Sequence, residues 1–316
     1  MTGTQRLLRL GTRRSALALA QSGTVADAVT SATGRAVELV EITTHGDTSQ
    51  ATNEPIAQMG GTGVFVNALR DALLAGEVDF AVHSLKDLPT AAPERLALAA
   101  VPERADVRDV LVAGDGRKLA DLPAGARIGT GSPRRAAQLR LLRPDIEVVA
   151  IRGNVDTRVG FVTAGRLDGV VLAHAGLSRL GRIDEATDLF DPADFLPAPG
   201  QGALAVECRE QDTELRELLA ALDHRPTRAA VSAERALLAT LEAGCSAPVG
   251  GYAHVHHEND QELTVTGIVA SAETDREPRS VRGTLSGPAG QAPRLGADLA
   301  ARLLEQGAAV LMGAVL

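Results

Sequence analysis

Val78-Asp79-Phe80-Ala81-Val82-His83-Ser84-Leu85-Lys86-Asp87-Leu88-Pro89 is an apolar run that stops at a proline, with an ammonium and a carboxylate side by side just before it. The apolar residues predict a buried strand, and the proline, which has no N–H to give a ladder, marks its end. Asp87 is therefore expected at the C-terminal end of a strand, the edge at which open α/β sheets bind ligands. Adjacent charges also make ordinary surface ion pairs, so Lys86-Asp87 taken alone leaves both readings open.

Strand and helix patterns alternate outward from this segment. Upstream, Arg6 to Leu10 reads as a strand, Gly11 to Arg14 as a loop, and Ser15 as the N-cap of a helix. Val37 to Thr43 is a second strand, and the polar run Thr44 to Asn53 is too rich in turn formers to be regular. Gly60-Gly61-Thr62-Gly63 leads into an apolar helix, Val64 to Leu74, closed by Gly76. Downstream, a strand at Arg127 to Gly129 runs into Gly129-Thr130-Gly131-Ser132-Pro133-Arg134-Arg135, where Ser132 suits an N-cap and Pro133 the first helical position. Glu147 to Ile151 repeats the device, ending in Arg152-Gly153-Asn154 before a helix that contains Arg158, and Gly169 to Ala173 is a further strand. Such alternation argues for α/β architecture with mostly parallel, doubly wound sheets.

Arg104 to Arg108 and Leu196-Pro197-Ala198-Pro199-Gly200-Gln201-Gly202 are polar or rich in Pro and Gly and read as domain crossings. Two crossings imply a discontinuous first domain, 1–103 with 200–222 returning to it, and a second domain at 104–199. From 223 to 316 the order changes to a helix (Arg228 to Leu241), strands (Glu262 to Ala270, Arg279 to Leu285) and a last helix (Leu295 to Gln306), a small α+β C-terminal domain.

With aromatic residues at 2%, the cores are built from aliphatic side chains, and stacking platforms for single-stranded nucleic acid are nearly excluded. The net charge of −8 argues against duplex DNA or an anionic membrane as partner. Arginine is nonetheless gathered: between Arg127 and Arg158 stand seven arginines against three acids, a pattern suited to a small polyanion. Arg140 and Arg143, late in a helix, fit a solvated basic face better. No apolar signal core stands at the N-terminus and no segment reaches the length of a membrane span, so a cytoplasmic protein is expected. The two cysteines, Cys208 and Cys245, make a disulfide framework unnecessary and agree with a reducing compartment.

Four loop-to-helix junctions carry arginine or serine: Arg13 with Ser15, Ser132 with Arg134 and Arg135, Arg152, and Arg158 one turn into its helix. Helix N-termini offer free N–H groups and guanidinium forks grip carboxylates in two places, so together these residues would form a cleft for several carboxylates. Gly244-Cys245-Ser246-Ala247-Pro248 presents a thiol just past a helical pattern, beside a glycine that lets a large group approach, and reads as a tethered nucleophile, although loop thiols are often incidental. Cys208 lies in an apolar strand and reads as core. Neither glycine cluster completes a nucleotide fingerprint. His254 and His256 fall on one strand face near His257, but no acid or cysteine has ligand spacing, so no metal site is expected.

The segments Gly11-Thr12-Arg13-Arg14-Ser15-Ala16-Leu17-Ala18, Val82 to Pro89, Ile128 to Arg135, Arg152-Gly153-Asn154-Val155-Asp156-Thr157-Arg158, Leu196 to Gly202 and Gly244 to Gly250 follow one another in an order that closely resembles the porphobilinogen deaminase (hydroxymethylbilane synthase) family. The resemblance implies two doubly wound type II periplasmic-binding-protein-like domains plus the small α+β C-terminal domain. It also implies a dipyrromethane cofactor joined by a thioether to Cys245, on which four porphobilinogen units are added head to tail with loss of ammonia before water releases 1-hydroxymethylbilane. Asp87 would be the catalytic carboxylate, stabilising the positive charge that develops as ammonia leaves. Ser84, Lys86, Thr130, Ser132, Arg134 and Arg135 would hold cofactor carboxylates, and Arg13, Ser15, Arg152 and Arg158 the substrate and growing chain. The implied enzyme is a cytoplasmic monomer whose partners are porphobilinogen and the next enzyme of the pathway, to which it hands its product. Thr62 departs from the family, many of whose members have lysine there. The rival readings are a solute-binding module for a dicarboxylate and an inactive relative kept for regulation.

Overall fold

The structure, a computed structural model, describes residues 6–42, 64–91, 93–243, 247–256, 261–271 and 277–313. In chain order the first elements are β1 (Leu8–Thr12), α1 (Ala16–Thr33), β2 (Val37–Glu41), α2 (Val64–Leu74), β3 (Phe80–Ser84), β4 (Leu96–Ala100) and β5 (Asp109–Ala113). They are followed by β6 (Arg127–Thr130), α3 (Pro133–Leu142), β7 (Glu147–Ala150), α4 (Val155–Thr163), β8 (Gly169–Ala173), α5 (His174–Arg179) and β9 (Asp188–Leu189). The last are β10 (Leu204–Arg209), α6 (Thr213–Leu219), α7 (Arg225–Thr240), β11 (Val249–Val255), β12 (Glu262–Ala270), β13 (Ser280–Pro288), α8 (Ala292–Glu305) and α9 (Ala308–Leu311).

The chain divides into two compact units, residues 1–104 with 203–228, and residues 105–202 with 229–316. The first unit holds a five-stranded sheet in the order β2-β1-β3-β10-β4, and the second a sheet in the order β7-β6-β8-β5-β9. These are one arrangement used twice. In each sheet three parallel strands are followed by a fourth that runs antiparallel to its neighbours, β10 in one and β5 in the other. Both are mixed α/β sheets, parallel but for the strand inserted at the fourth position. The second unit also holds the antiparallel sheet β11-β12-β13, whose inner face packs Leu263 and Val265 against Leu237 of α7 and Leu299 and Leu303 of α8.

The helices form where local chemistry opens and closes them. Ser15 caps α1, its hydroxyl accepting from the Ala18 N–H, and Gly34 ends it in a left-handed conformation (φ +70°). Ser132 caps α3 with Pro133 in its first turn, and Asn154 caps α4 by accepting from Thr157 N at 2.9 Å. Because β5 is antiparallel to β8, with Asp109 opposite Ala173, its first residue lies at the edge where β6, β7 and β8 end.

Gly11 and Thr12, read above as the start of a loop, belong to β1. A Cβ on Gly11 would stand 3.0 Å from Val78 Cγ2, so the absence of a side chain lets the strand continue there. The strands β4, β5 and β9 stand where the sequence analysis placed none. Thr44 to Asn53, the Gly60–Gly63 cluster with Thr62, His257 and Cys245 lie outside the described residues. Among the described residues, no helix is long and apolar enough to cross a membrane.

Candidate functional site

In the second unit the C-terminal edge of the sheet gathers a compact group of charges. Asp109 is fully buried, with both oxygens engaged: Arg134 Nη1 is 2.7 Å from Oδ2 and Arg135 Nη2 2.7 Å from Oδ1. Arg135 also donates from Nη1 to the Val171 carbonyl (3.0 Å), Arg134 from Nη1 to Leu196 O (2.7 Å), and Gln201 from Nε2 to Asp109 Oδ1 (2.9 Å). Burial alone would raise the Asp109 pKa, but the Arg134 and then the Arg135 guanidinium outweigh it and hold the carboxyl well below the usual carboxylate range. One carboxylate thus faces two guanidinia, each about 95% buried, and the Nε of Arg134 is buried with no hydrogen-bond partner. Such a donor is costly unless an acceptor meets it.

Arg158 stands beside them. Burial lowers its pKa, and the nearby Arg135 guanidinium lowers it further. Its Nε donates to Gly153 O at 2.8 Å, and no described carboxylate pairs with it. The Thr130 hydroxyl accepts from Ser132 N (3.2 Å), tightening the turn into α3, and Arg152 is exposed on the neighbouring turn into α4. The two turns meet at Gly131, where a Cβ would lie 2.6 Å from the Ile151 carbonyl oxygen and 3.9 Å from Arg158 Nη2. Backbone cannot yield cheaply, so Gly131→Ala forces the β7–α4 turn away and costs about 1–3 kcal/mol. Equilibrium denaturation checks that loss; an unchanged midpoint would show that the turn relaxes freely.

In the first unit, β1 and β3 pair in parallel, so the loop carrying Arg13 and Ser15 and the turn carrying Ser84, Lys86 and Asp87 follow neighbouring strand ends. A short 3₁₀ turn, Leu85–Asp87, follows β3, and Leu85 N donates to Ala203 O at 3.0 Å beside the start of β10. Asp87 is exposed and makes no hydrogen bond or ion pair with any described residue, so the Lys86-Asp87 surface pair does not form. Its carboxylate is uncommitted to the fold.

Three residues carry more here than the sequence reading assigned. Asp109 was not singled out, although a lone acid opening the apolar run Val110-Leu111-Val112 is the available signal. Arg179 at the end of α5 was also missed; its pKa is lowered by burial, it donates to Gly202 O at 2.8 Å, and no described carboxylate pairs with it. Arg143, read as part of a solvated face, instead donates to the carbonyls of Leu119 and Leu122 and pairs with Asp145, so it braces the chain entering β6. His254 of β11 and His256 just beyond it meet edge to face at 4.9 Å, and His256 Nε2 lies 2.9 Å from Thr264 Oγ1.

The second unit offers several guanidinium donors and two capped helix N-termini to carboxylates, and the first unit, described by itself, offers an uncommitted carboxylate after β3. Residues 8–217 match the family model for the dipyrromethane cofactor binding domain of porphobilinogen deaminase, and residues 228–305 match the model for its C-terminal domain. Porphobilinogen deaminase 1 of Streptomyces coelicolor is 60% identical over 320 residues, covering 98% of each chain. Porphobilinogen deaminase of Thermobifida fusca is 58% identical over 303 residues, covering 95% of this chain and 94% of its own. Among solved structures, a periplasmic substrate-binding protein of an ABC transporter from Coxiella burnetii is similar at a TM-score of 0.43 and 14% identity, over 68% of this chain and 91% of that one. With both family models matched in sequence order and identity sustained along nearly the whole length, the chain belongs to the porphobilinogen deaminase family.

Proposed function

We infer that the chain is a hydroxymethylbilane synthase: it condenses four porphobilinogen molecules head to tail on a dipyrromethane primer, with release of ammonia, and water frees 1-hydroxymethylbilane for tetrapyrrole synthesis. The observation that carries this reading is the surplus of buried guanidinium donors in the second unit: Arg134 Nε without an acceptor, and Arg158 without a carboxylate. Each pyrrole ring of porphobilinogen and of dipyrromethane bears an acetate and a propionate, which such donors fit. The dipyrromethane, when bound, supplies the pyrrole carbon to which substrate is joined.

The residues divide the work by chemistry. Cys245 anchors the cofactor through a thioether. Ser84, Lys86, Thr130, Ser132, Arg134 and Arg135 hold its carboxylates, the last two from a pair that Asp109 half neutralises and keeps fixed. Arg13, Ser15, Arg152 and Arg158, joined by Arg179, hold the carboxylates of the substrate and growing chain. Asp87 sits by the reacting pyrrole N–H, where its negative charge stabilises the cation formed as ammonia leaves and can take up a proton. Three domains, 1–103 with 200–222, 104–199 and 223–316, carry these groups in a cytoplasmic monomer that hands its product to the next enzyme.

Purified protein incubated with porphobilinogen should release ammonia; a solute-binding module or an inactive relative would not. Intact-mass measurement on protein made in cells that synthesise porphobilinogen should find one dipyrromethane adduct, stable to thiol reductants, retained in Cys208→Ser and absent in Cys245→Ser. Cys208 is buried in β10 with its pKa pushed up to about 11, a poor nucleophile at neutral pH. An adduct on Cys208, or an active protein without one, overturns the attachment.

A further inference from the structure

Behind the turn that carries Lys86 and Asp87 lies a charged trio that no role above uses. Glu207 of β10 is 2% exposed and receives a two-point grip from Arg70 of α2, Nε to Oε2 at 3.0 Å and Nη2 to Oε1 at 2.7 Å. His83 Nε2, also buried, lies 3.2 Å from the same Oε2. Leu69, Leu73, Val78, Ala81 and Leu96 make the surrounding core, where three aliphatic side chains would pack with no charge to desolvate.

The trio joins three elements at one place. His83 is the next-to-last residue of β3 and pairs with Ala205 of β10, while Glu207 lies opposite Ala81 and reaches diagonally to the imidazole. Side chains alternate along a strand, so holding His83 toward α2 fixes the opposite facing of Ser84 and the direction in which Leu85–Asp87 leaves the sheet. A register slip or twist at this end of β3 would carry Asp87 with it.

We propose that Glu207 is a positioning residue, which, by holding His83 and Arg70, pins the end of β3 and so aims the Lys86-Asp87 turn. This rests on the reading of Asp87 as the working carboxylate. His83 and Arg70 outweigh burial and hold the Glu207 carboxyl at about 2, so this carboxylate is ionised near neutral pH.

The test compares Glu207→Gln, His83→Asn and Arg70→Lys holoenzymes with wild type, in steady-state kinetics and in amide hydrogen exchange. A small displacement of a reacting group lowers kcat more than binding, so Glu207→Gln should lose roughly ten- to a hundredfold in kcat with KM for porphobilinogen within about threefold. Exchange should quicken across residues 80–88 while the amides of β1 and α1 keep wild-type protection, and Arg70→Lys, which retains a cation for Glu207, should recover most of kcat. If Glu207→Gln does not fold, His83→Asn must give the same kcat-specific loss. A folded Glu207→Gln or His83→Asn with wild-type kcat overturns the proposal, as does equal loosening of β1 and β3. Absence of ammonia release by wild type would instead overturn the functional reading on which it rests.

Discussion

Asp87→Asn should slow single-turnover ammonia release by about 10²–10⁴ on a correctly loaded holoenzyme while leaving folding unchanged. The side chain is exposed and makes no bond with any described residue, so its replacement by an isosteric amide should shift stability by no more than about 0.5 kcal/mol. What the amide removes is the charge. A full negative charge beside a pyrrole that becomes cationic stabilises the transition state more than the ground state, and only such differential binding accelerates a step. Asp87→Glu keeps the charge but moves it by one methylene and should retain partial activity. Ammonia release by Asp87→Asn at the wild-type rate would make Asp87 a bystander.

Asp109→Asn is expected to cost stability rather than chemistry. Removing one partner of a buried ion pair leaves the other charges uncompensated, a loss of about 3–5 kcal/mol, and here two guanidinia lose their common carboxylate. The cofactor's own carboxylates would restore part of that compensation, so the apo form should suffer more than the loaded form. The pH dependence has a definite sign. The folded-state pKa of Asp109 is depressed, so its stabilisation is present above the ordinary carboxylate range and is lost as pH falls through that range toward its folded value. Denaturation midpoints of wild type and Asp109→Asn should therefore keep their full difference from neutrality down to about pH 4 and draw together progressively below it. A constant gap from pH 7 to pH 3 would show that the lost interaction is packing.

Much of the architecture was legible because its signals are local. Ser15 and the Ser132-Pro133 pair announce helix starts within four residues of the bonds they make, and the apolar period of Val64–Leu74 marks α2 without further context. The α/β alternation and the strand end before Lys86-Asp87 follow in the same way. What escaped depends on partners distant in the chain. Leu96–Ala100 is Leu-Ala-Leu-Ala-Ala, without a β-branched residue, and becomes a strand because β10, a hundred residues later, lies beside it. Asp109 gains meaning only when Arg134, Arg135 and Gln201 fold onto it. Arg143 looked solvated because the carbonyls it holds belong to a separate loop.

The order β2-β1-β3-β10-β4 also sets a schedule for synthesis. The second unit's α/β sheet is drawn from one continuous stretch, 109–189, and can close as soon as that stretch has left the ribosome. The first unit's sheet cannot, because its fourth position is filled by Leu204–Arg209, which emerge about a hundred residues after β4; at ribosomal rates this is on the order of 5–20 s. Throughout that interval β3 and β4 each present an unpaired edge from the middle of a sheet, with Phe80, Val82 and Ala100 still without the strand that buries them. The sheet begun first is thus completed only after the second unit's α/β sheet, and its waiting edges are where a nascent-chain chaperone would find its binding site.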